Sequence, residues 1–314
     1  MYEFSKNSGL NIKKILAHLG ALITMSAWGT SFLSTKIMMV NGGLTPVEMF
    51  VYRFACAYII LLLLSFKKFF ANNWKDELQF LICGICSGSL YFILENYALE
   101  YTKAGNVSLL ASISPIFTTI LIAVVFRTRI KTGVILGSII SFIGVACLIL
   151  GNGESFEIRP LGDMLALGAA LTWAVYTLII KNLNPFYNTI FITRKLFFYG
   201  VLTAIPLLIF QDAPLRLWVI FDFQDPTFFF NFLFLVLVCS GLAFLTWNET
   251  MKVLGSVTAN NYLYLQPLVT MIAAYFVLGE QIFLLGYIGC ILIVGGLIYS
   301  DKSNLKGSSN RRVQ

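Results

Sequence analysis

The sequence has one histidine, and only 12% of its 314 residues are charged, about half the share found in soluble domains. A single histidine leaves little for a metal-dependent hydrolase, and neither an HExxH nor a GxSxG motif is present. All six cysteines lie in apolar stretches, which argues against the disulfide framework of a secreted protein. The CxxC of Cys83 and Cys86 lacks the further ligands of a zinc site. The sequence therefore predicts no enzyme, no catalytic residue, no metal and no cofactor.

Hydrophobic residues, in contrast, make up 58% of the chain. A single soluble core could not bury so much apolar surface and still keep a polar exterior. Ten apolar segments have about the 20 residues that a bilayer-spanning helix needs. They cover 15–35, 47–66, 78–98, 104–126, 132–150, 164–180, 189–210, 228–248, 256–278 and 282–300, and are called predicted spans one to ten. No segment alternates with period two, which excludes a membrane barrel.

The net charge of +7 reflects topology rather than a nucleic-acid partner. With the N-terminus inside, fifteen Lys and Arg residues fall in cytoplasmic segments and three in external ones, with Lys36 at the external membrane edge. Positive residues near helix ends resist translocation. We therefore expect a multi-pass protein of the inner (plasma) membrane with both termini cytoplasmic. Residues 1–14 form the N-terminal segment, and 301–314 form a disordered tail.

Two constant offsets indicate an internal repeat. Residue pairs 145 positions apart are Trp28–Trp173 and Lys36–Lys181, and pairs 152 apart are Asn96–Asn248, Pro115–Pro267, Gly137–Gly289 and Gly144–Gly296. The halves cover 15–150 and 163–300. Because each contains five spans, an odd number, the second half enters the membrane inverted. The predicted fold class is an all-α integral membrane protein with ten transmembrane helices, arranged as two inverted five-helix repeats.

Several stretches resemble the EamA family of the drug/metabolite transporter superfamily. They are WGTSFLSTK (28–36), YRF (52–54), NYALEYTKAGNVSLLASISPIF (96–117), WAVYTLIIK (173–181) and LQPLVTMIAAYFVLGE (265–280). The resemblance covers about residues 15–300 and implies ten helices, a central cavity and, usually, export of amino acids, metabolites or drugs. One departure is that the Leu-Gly-Glu ending of the fourth helix, present as 278–280 in the second half, is replaced by 126–128, Phe-Arg-Thr.

Polar and aromatic residues concentrate in spans one, three, four, six, eight and nine, which we expect to line a cavity, since lipid-facing helices carry few polar groups. The candidate substrate-binding residues are Trp28, Ser31, Glu95, Ser112, Trp173, Tyr176, Asn260 and Tyr264. For any single Ser or Thr, ordinary hydrogen bonding between helices is an alternative. Pro115 and Pro267, at matching depths, are candidate hinges because proline interrupts a helix. The charged Arg53 and Arg194 lie two turns into their spans and could reach the membrane surface.

These features predict a secondary transporter that exports a small organic solute, such as an amino acid or a related metabolite or drug, by alternating access. The alternative is a lipid-handling or scaffold protein of the membrane. Expected partners are the small-molecule substrate and the lipid bilayer, with a coupling proton as a further one. The sequence is compatible with a monomer and with a homodimer.

Overall fold

The computed structural model describes residues 2–102, 104–151, 158–211, 214–221, 226–278 and 284–309, and within these ranges the chain forms α-helices and no β-strand. The helices are α1 (Tyr2–Lys36), α2 (Pro46–Leu64), α3 (Trp74–Gly84), α4 (Leu90–Tyr101), α5 (Ala104–Ala111), α6 (Ser114–Val125), α7 (Thr132–Gly151), α8 (Pro160–Leu183), α9 (Thr189–Phe210), α10 (Pro226–Phe234), α11 (Ala243–Leu254), α12 (Ser256–Asn261), α13 (Leu265–Leu278) and α14 (Leu284–Ser309). Wider π-helical turns occupy Ile37–Asn41, Ile85–Ser89 and Leu235–Leu242, and 3₁₀ turns occupy Leu217–Phe221 and Tyr262–Tyr264.

Eight helical segments of the described chain are long and apolar enough to cross a membrane. They cover Pro46–Leu64, Trp74–Ala98, Asn106–Val125, Thr132–Gly151, Pro160–Leu183, Thr189–Phe210, Pro226–Leu254 and Leu284–Ser303. Each overlaps one predicted span. Predicted span one lies inside α1, and predicted span nine is covered by α12, a 3₁₀ turn and α13. The protein is therefore an all-helical, multi-pass membrane protein, and the count of ten spans stays a prediction.

Local sequence signals explain where several helices begin. Thr45 caps α2 through a capping box with Glu48, and Pro46 follows at a position where its missing N–H costs nothing. Asn188 caps α9 by accepting a hydrogen bond from the backbone N–H of Phe191 at 2.7 Å. These caps supply partners for backbone groups that have none inside the helix.

The helices of the two halves pack against each other reciprocally. Helix α1 contacts α11 and α13, whereas α8 contacts α4, α5 and α6. Helix α2 packs against α9, and α7 packs against α14. The first helix of each half therefore packs against helices of the other half, and both halves contribute to the buried core.

Small residues allow the closest of these contacts, between α7 and α14. A Cβ atom added to Gly137 would lie 2.6 Å from the carbonyl oxygen of Gly296, and one added to Gly289 would lie 2.6 Å from that of Gly144. Without side chains at these positions, the two backbones touch, as is common between membrane helices. The four glycines are the pairs found at the 152-residue offset.

Charged side chains near the connection between α2 and α3 have partners inside the protein. Arg194 is buried and donates to the carbonyl oxygens of Ser65 and Lys68. Lys195 forms a buried ion pair with Glu77. The acceptors of Arg194 lie in the connection that follows α2, and its reach to the membrane surface stays a prediction.

Helix α14 corrects the prediction for the C-terminal tail. Residues 301–309, expected to be disordered, continue the helix to Ser309, since extending an existing helix is far easier than starting one. Residues 310–314 lie outside the described residues, as do Gly279 and Glu280 of the Leu-Gly-Glu motif and residues 152–157.

Candidate functional site

Three tryptophans from three helices meet in the core and are called here the tryptophan cluster: Trp28 of α1, Trp173 of α8 and Trp247 of α11. The ring centroids of Trp28 and Trp173 are 5.7 Å apart with nearly perpendicular planes. Trp247 lies 5.4 Å from Trp28 and 6.4 Å from Trp173. These separations are typical of attractive aromatic pairs. The predicted pair of matching tryptophans is thus in direct contact, and Trp247 joins it.

The three indole N–H groups differ in how they are satisfied. Trp28 Nε1 donates to the carbonyl oxygen of Cys239 at 3.0 Å, and Trp173 Nε1 donates to Asn260 Oδ1 at 3.2 Å. Trp247 is fully buried, yet its Nε1 has no hydrogen-bond partner in the described part of the chain. An unsatisfied buried donor costs about 1–3 kcal/mol. Such a donor inside an aromatic cluster is a natural partner for a bound acceptor.

The backbone acceptor of Trp28 lies in one of the two long spans that contain a π-helical turn. Cys239 belongs to the turn Leu235–Leu242, and the equivalent span of the first half contains Ile85–Ser89. Because π-helical turns shift backbone groups out of the regular ladder, they occur often at functional sites. This turn presents its carbonyl to the tryptophan cluster.

A chain of hydrogen bonds fixes the polar side of the cluster. Tyr176, whose ring lies 5.2 Å from that of Trp173, donates to Asn248 Oδ1 at 2.8 Å. Asn248 Nδ2 donates in turn to Thr193 Oγ1 at 3.0 Å. Asn260 Nδ2 donates to the carbonyl oxygen of Ser256 at 2.9 Å. The predicted residues Tyr176 and Asn260 are therefore held rigidly beside Trp173.

Glu95 connects to the cluster through a neighbour on its own helix. Tyr91 donates to Glu95 Oε1 at 2.8 Å, and its ring lies 5.6 Å from that of Trp173. Glu95 is half-buried. Tyr91 therefore connects the carboxyl group of Glu95 to the ring of Trp173 in the tryptophan cluster.

The other three candidates have no side-chain hydrogen bond to the indole rings of the tryptophan cluster in the described part of the chain. The hydroxyls of Ser31 and Ser112 donate to carbonyl oxygens of their own chain segments, those of Trp28 and Ser108, both at 2.8 Å. Tyr264 is fully buried in the turn Tyr262–Tyr264, which packs against α1, α7 and α14. No ring contact in the described residues joins Tyr264 to the tryptophan cluster.

Both candidate hinge prolines follow an interruption of their helix. The break before Pro115 is the turn between α5 and α6 at 112–113, and the break before Pro267 is the 3₁₀ turn Tyr262–Tyr264. At the 152-residue offset, 112–113 corresponds to 264–265, so the two breaks overlap at one position. Each precedes a proline, which cannot donate a hydrogen bond to the preceding turn. Their role as hinges stays a prediction.

Arg53 is a residue that sequence reasoning undervalued. Its side chain is buried, its Nε donates to Ser240 Oγ at 2.5 Å, and its guanidinium lies 5.0 Å from the centre of the Phe54 ring. Ser240 directly follows Cys239, the acceptor of Trp28. The prediction that Arg53 could reach the surface is wrong. The sequence signal for Arg53 was a charged residue, in the YRF motif, inside a predicted span. Charged residues buried in membrane helices are commonly functional.

Comparison with known proteins agrees with this architecture. The model of the EamA-like transporter family matches residues 15–150 and 160–300. An uncharacterized transporter of Clostridium kluyveri is 26% identical over 302 residues, which cover 93% of this chain and 95% of the relative. A probable terminal-alkyne amino-acid exporter of Streptantibioticus cattleyicolor is 23% identical over 290 residues, which cover 90% and 93%.

A crystal structure with 18% sequence identity shares the fold, with a TM-score of 0.73 over 90% of this chain and 96% of that one. The resemblance noted in the sequence is therefore confirmed. This chain belongs to the EamA-like transporter family.

Proposed function

We propose that the protein is a secondary transporter that exports a small amphipathic solute of the amino-acid class, with ten spans in two inverted repeats, 15–150 and 163–300. The reciprocal packing of α1 and α8 supports the repeat. The excess of Lys and Arg in the segments assigned to the cytoplasm supports a plasma-membrane protein with both termini inside. The amino-acid class is favoured by the relative from Streptantibioticus cattleyicolor, whose description names an amino-acid exporter.

The solute site in this proposal is the tryptophan cluster. Helices from both halves build it, as alternating access around one central site requires. The observation that carries the proposal is the buried, unpartnered Nε1 of Trp247 between two other indole rings. The rings offer apolar area to a side chain, while this N–H offers a hydrogen bond to a carboxylate. Arg53 adds positive charge beside this site, because it donates to Ser240, which follows the Cys239 acceptor of Trp28.

Access to this site would alternate through the interrupted helices. In the structure the cluster is closely packed, and Trp28 and Trp173 are each less than 9% exposed. Opening a path therefore needs helices to move apart. The breaks before Pro115 and Pro267 lie in helices that pack against α8 and α1, the two helices that carry these tryptophans. Bending at these breaks would move the helices that pack against the tryptophan cluster.

The test is uptake of amino acids, amines and drugs into proteoliposomes by Trp247→Phe, which keeps an aromatic ring but removes the N–H. Because a hydrogen bond to a charged group contributes about 1.5–3 kcal/mol, KM should rise about tenfold or more. Trp218→Phe is the matched control, since Trp218 is 64% exposed, and it should leave KM unchanged. An unchanged KM in Trp247→Phe would place the site elsewhere.

Binding can be read independently of transport by fluorescence. Replacing the exposed Trp74 and Trp218 by Phe leaves the tryptophan cluster as the source of indole emission. A transported solute should then quench or shift the emission. Absence of transport for every solute, together with lipid scrambling by the same proteoliposomes, would favour the lipid-handling alternative.

A further inference from the structure

The connection between α2 and α3 carries an exposed aromatic surface. Residues 65–73 join the span Pro46–Leu64 to the span Trp74–Ala98, so they lie at a boundary between bilayer and water. Four aromatic side chains there are largely exposed and are called here the aromatic surface: Phe66 (60%), Phe69 (55%), Phe70 (76%) and Trp74 (82%). Contiguous exposed apolar patches usually mark an interaction surface.

Two buried cations of α9 hold the backbone of this connection from inside the protein. Arg194 donates to the carbonyl oxygens of Ser65 and Lys68. Lys195 Nζ donates to the carbonyl oxygen of Phe69 at 3.3 Å. The course of the connection is therefore set by contacts of its backbone, and the aromatic surface is left on the outside.

Backbone N–H groups of the connection also have side-chain partners. Ala71 N donates to Glu77 Oε2 at 2.7 Å, and Asn72 N donates to the hydroxyl of Tyr187 at 2.7 Å. At membrane depth, irregular backbone is tolerated only where the protein satisfies its polar groups. The connection meets this condition for these donors and for the three carbonyls above. It can therefore lie at the level of the lipid headgroups, where water is scarce.

The charged side chains of the segment 65–77 are sorted between inside and outside. Its two acidic residues have partners within the protein: Glu77 forms its buried ion pair, and Asp76 Oδ2 accepts from the hydroxyl of Tyr187 at 2.5 Å. Lys67 and Lys75, in contrast, are exposed, and neither forms an ion pair in the described part of the chain. Two ammonium groups thus stand beside the aromatic surface.

We propose that the aromatic surface, with Lys67 and Lys75, docks on the headgroup layer of an anionic bilayer. Aromatic rings, and that of Trp74 above all, favour the level between headgroups and acyl chains. Ammonium groups at that level attract the phosphates of anionic lipids. The surface is separate from the tryptophan cluster, and the proposal depends neither on transport nor on which side of the membrane the connection faces.

The first test measures the depth of Trp74 by fluorescence in phosphatidylcholine vesicles. Trp218→Phe leaves Trp74 as the exposed indole, and the double variant Trp74→Phe with Trp218→Phe gives the emission of the tryptophan cluster to be subtracted. Lipids brominated near the headgroup should quench Trp74 more than lipids brominated at the chain ends. Iodide in the water should quench it little.

The second test compares brominated phosphatidylglycerol with brominated phosphatidylcholine at equal mole fractions. Phosphatidylglycerol should be favoured beside Trp74 by about fivefold or more, the size of effect expected of a single ammonium group near a membrane surface. Lys67→Gln with Lys75→Gln should bring the ratio close to one. Both lysines are exposed, so the variant should fold like the wild type.

Trp218 supplies the matched control, because it follows the far end of α9 and is 64% exposed. With Trp74→Phe, it reports the lipid at that end, where the two lysine substitutions should change nothing. Equal loss of the phosphatidylglycerol preference at Trp74 and Trp218 would overturn the proposal, because the effect would then be general charge. Equal quenching of Trp74 by both lipids in the wild type would overturn it as well.

The other environments of the aromatic surface give different results in the first test. Quenching of Trp74 by iodide and not by brominated lipid would place the surface in water. Quenching by neither would mean that protein, such as a second copy of this chain, covers it. Either result would overturn the proposal.

Discussion

Adjacent glycines on α14 allow a sharp test of how the two halves are held together. Gly296 is buried against α7, and a Cβ atom there would lie 2.6 Å from the carbonyl oxygen of Gly137 and 2.7 Å from the backbone nitrogen of Ser141. Gly295 is exposed, and a Cβ atom there would meet nothing within 4 Å. The two substitutions to Ala therefore differ only in the face of the helix that they change.

The expected magnitude follows from these distances. Ordinary Cβ contacts begin at 3.4 Å, so Gly296→Ala must separate the two backbones by about 0.8 Å, and closely packed interiors resist such shifts. Overpacking of this kind costs about 1–3 kcal/mol, and the better helix propensity of Ala returns about 0.5–1 kcal/mol. We expect a net loss in the range of about 0–2.5 kcal/mol, centred near 1 kcal/mol, for Gly296→Ala and no loss for Gly295→Ala.

The assay is thermal unfolding in detergent followed with a thiol-reactive dye. Cys83 and Cys239 are fully buried free thiols that become reactive as the protein unfolds. The melting temperature of Gly296→Ala should fall by about 2–6 °C, and that of Gly295→Ala should stay or rise. A Gly296→Ala protein that melts at or above the wild-type temperature would refute backbone contact between α7 and α14.

Other residues give further expectations. Arg127 has a left-handed backbone with φ of 50° after α6, so Arg127→Gly should raise the free energy of unfolding by about 1 kcal/mol; a lower melting temperature would contradict this. If Glu95 carries a coupling proton, Glu95→Gln should abolish the acceleration of uptake by an imposed pH gradient while substrate binding, read by fluorescence, persists; an unchanged acceleration would exclude that role. Pro115→Ala and Pro267→Ala should bias the protein toward opposite-facing states, read as cysteine accessibility from the two sides. Equal shifts in one direction, or no shift with unaltered transport, would make both prolines structural kinks.

The course of the helices could be read largely from the sequence. Apolar runs bounded by charged or turn residues located the ends of the eight described spans to within six residues, because the length of a membrane helix is dictated by the bilayer. The constant offsets identified the glycines that later proved to touch, Gly137 with Gly296 and Gly144 with Gly289. The offset itself could not say that the partners cross over, each glycine meeting the counterpart of the other.

The candidate site was predictable only in part. Trp28 and Trp173 stand out because they occupy matching places in both halves, and they lie in contact. Trp247 carried no such mark, since the position 152 residues earlier is Glu95. Trp28 and Trp173 find acceptors in Cys239 and Asn260, whereas the Trp247 N–H has none in the described residues. Which indole finds an acceptor is decided only when distant segments pack together.

The sequence by itself determined that the chain is a helical membrane protein, because apolar length and low charge leave lipid as the only suitable solvent. The internal repeat stays a prediction from the constant offsets. The tertiary structure decided which faces meet: that α1 lies against α11, and that Arg53 points inward to Ser240. The physical reason is that lipid-facing and core-facing surfaces of a membrane helix are both apolar, so hydrophobic periodicity carries little information about facing. Close packing and hydrogen bonds between distant segments supply that information instead.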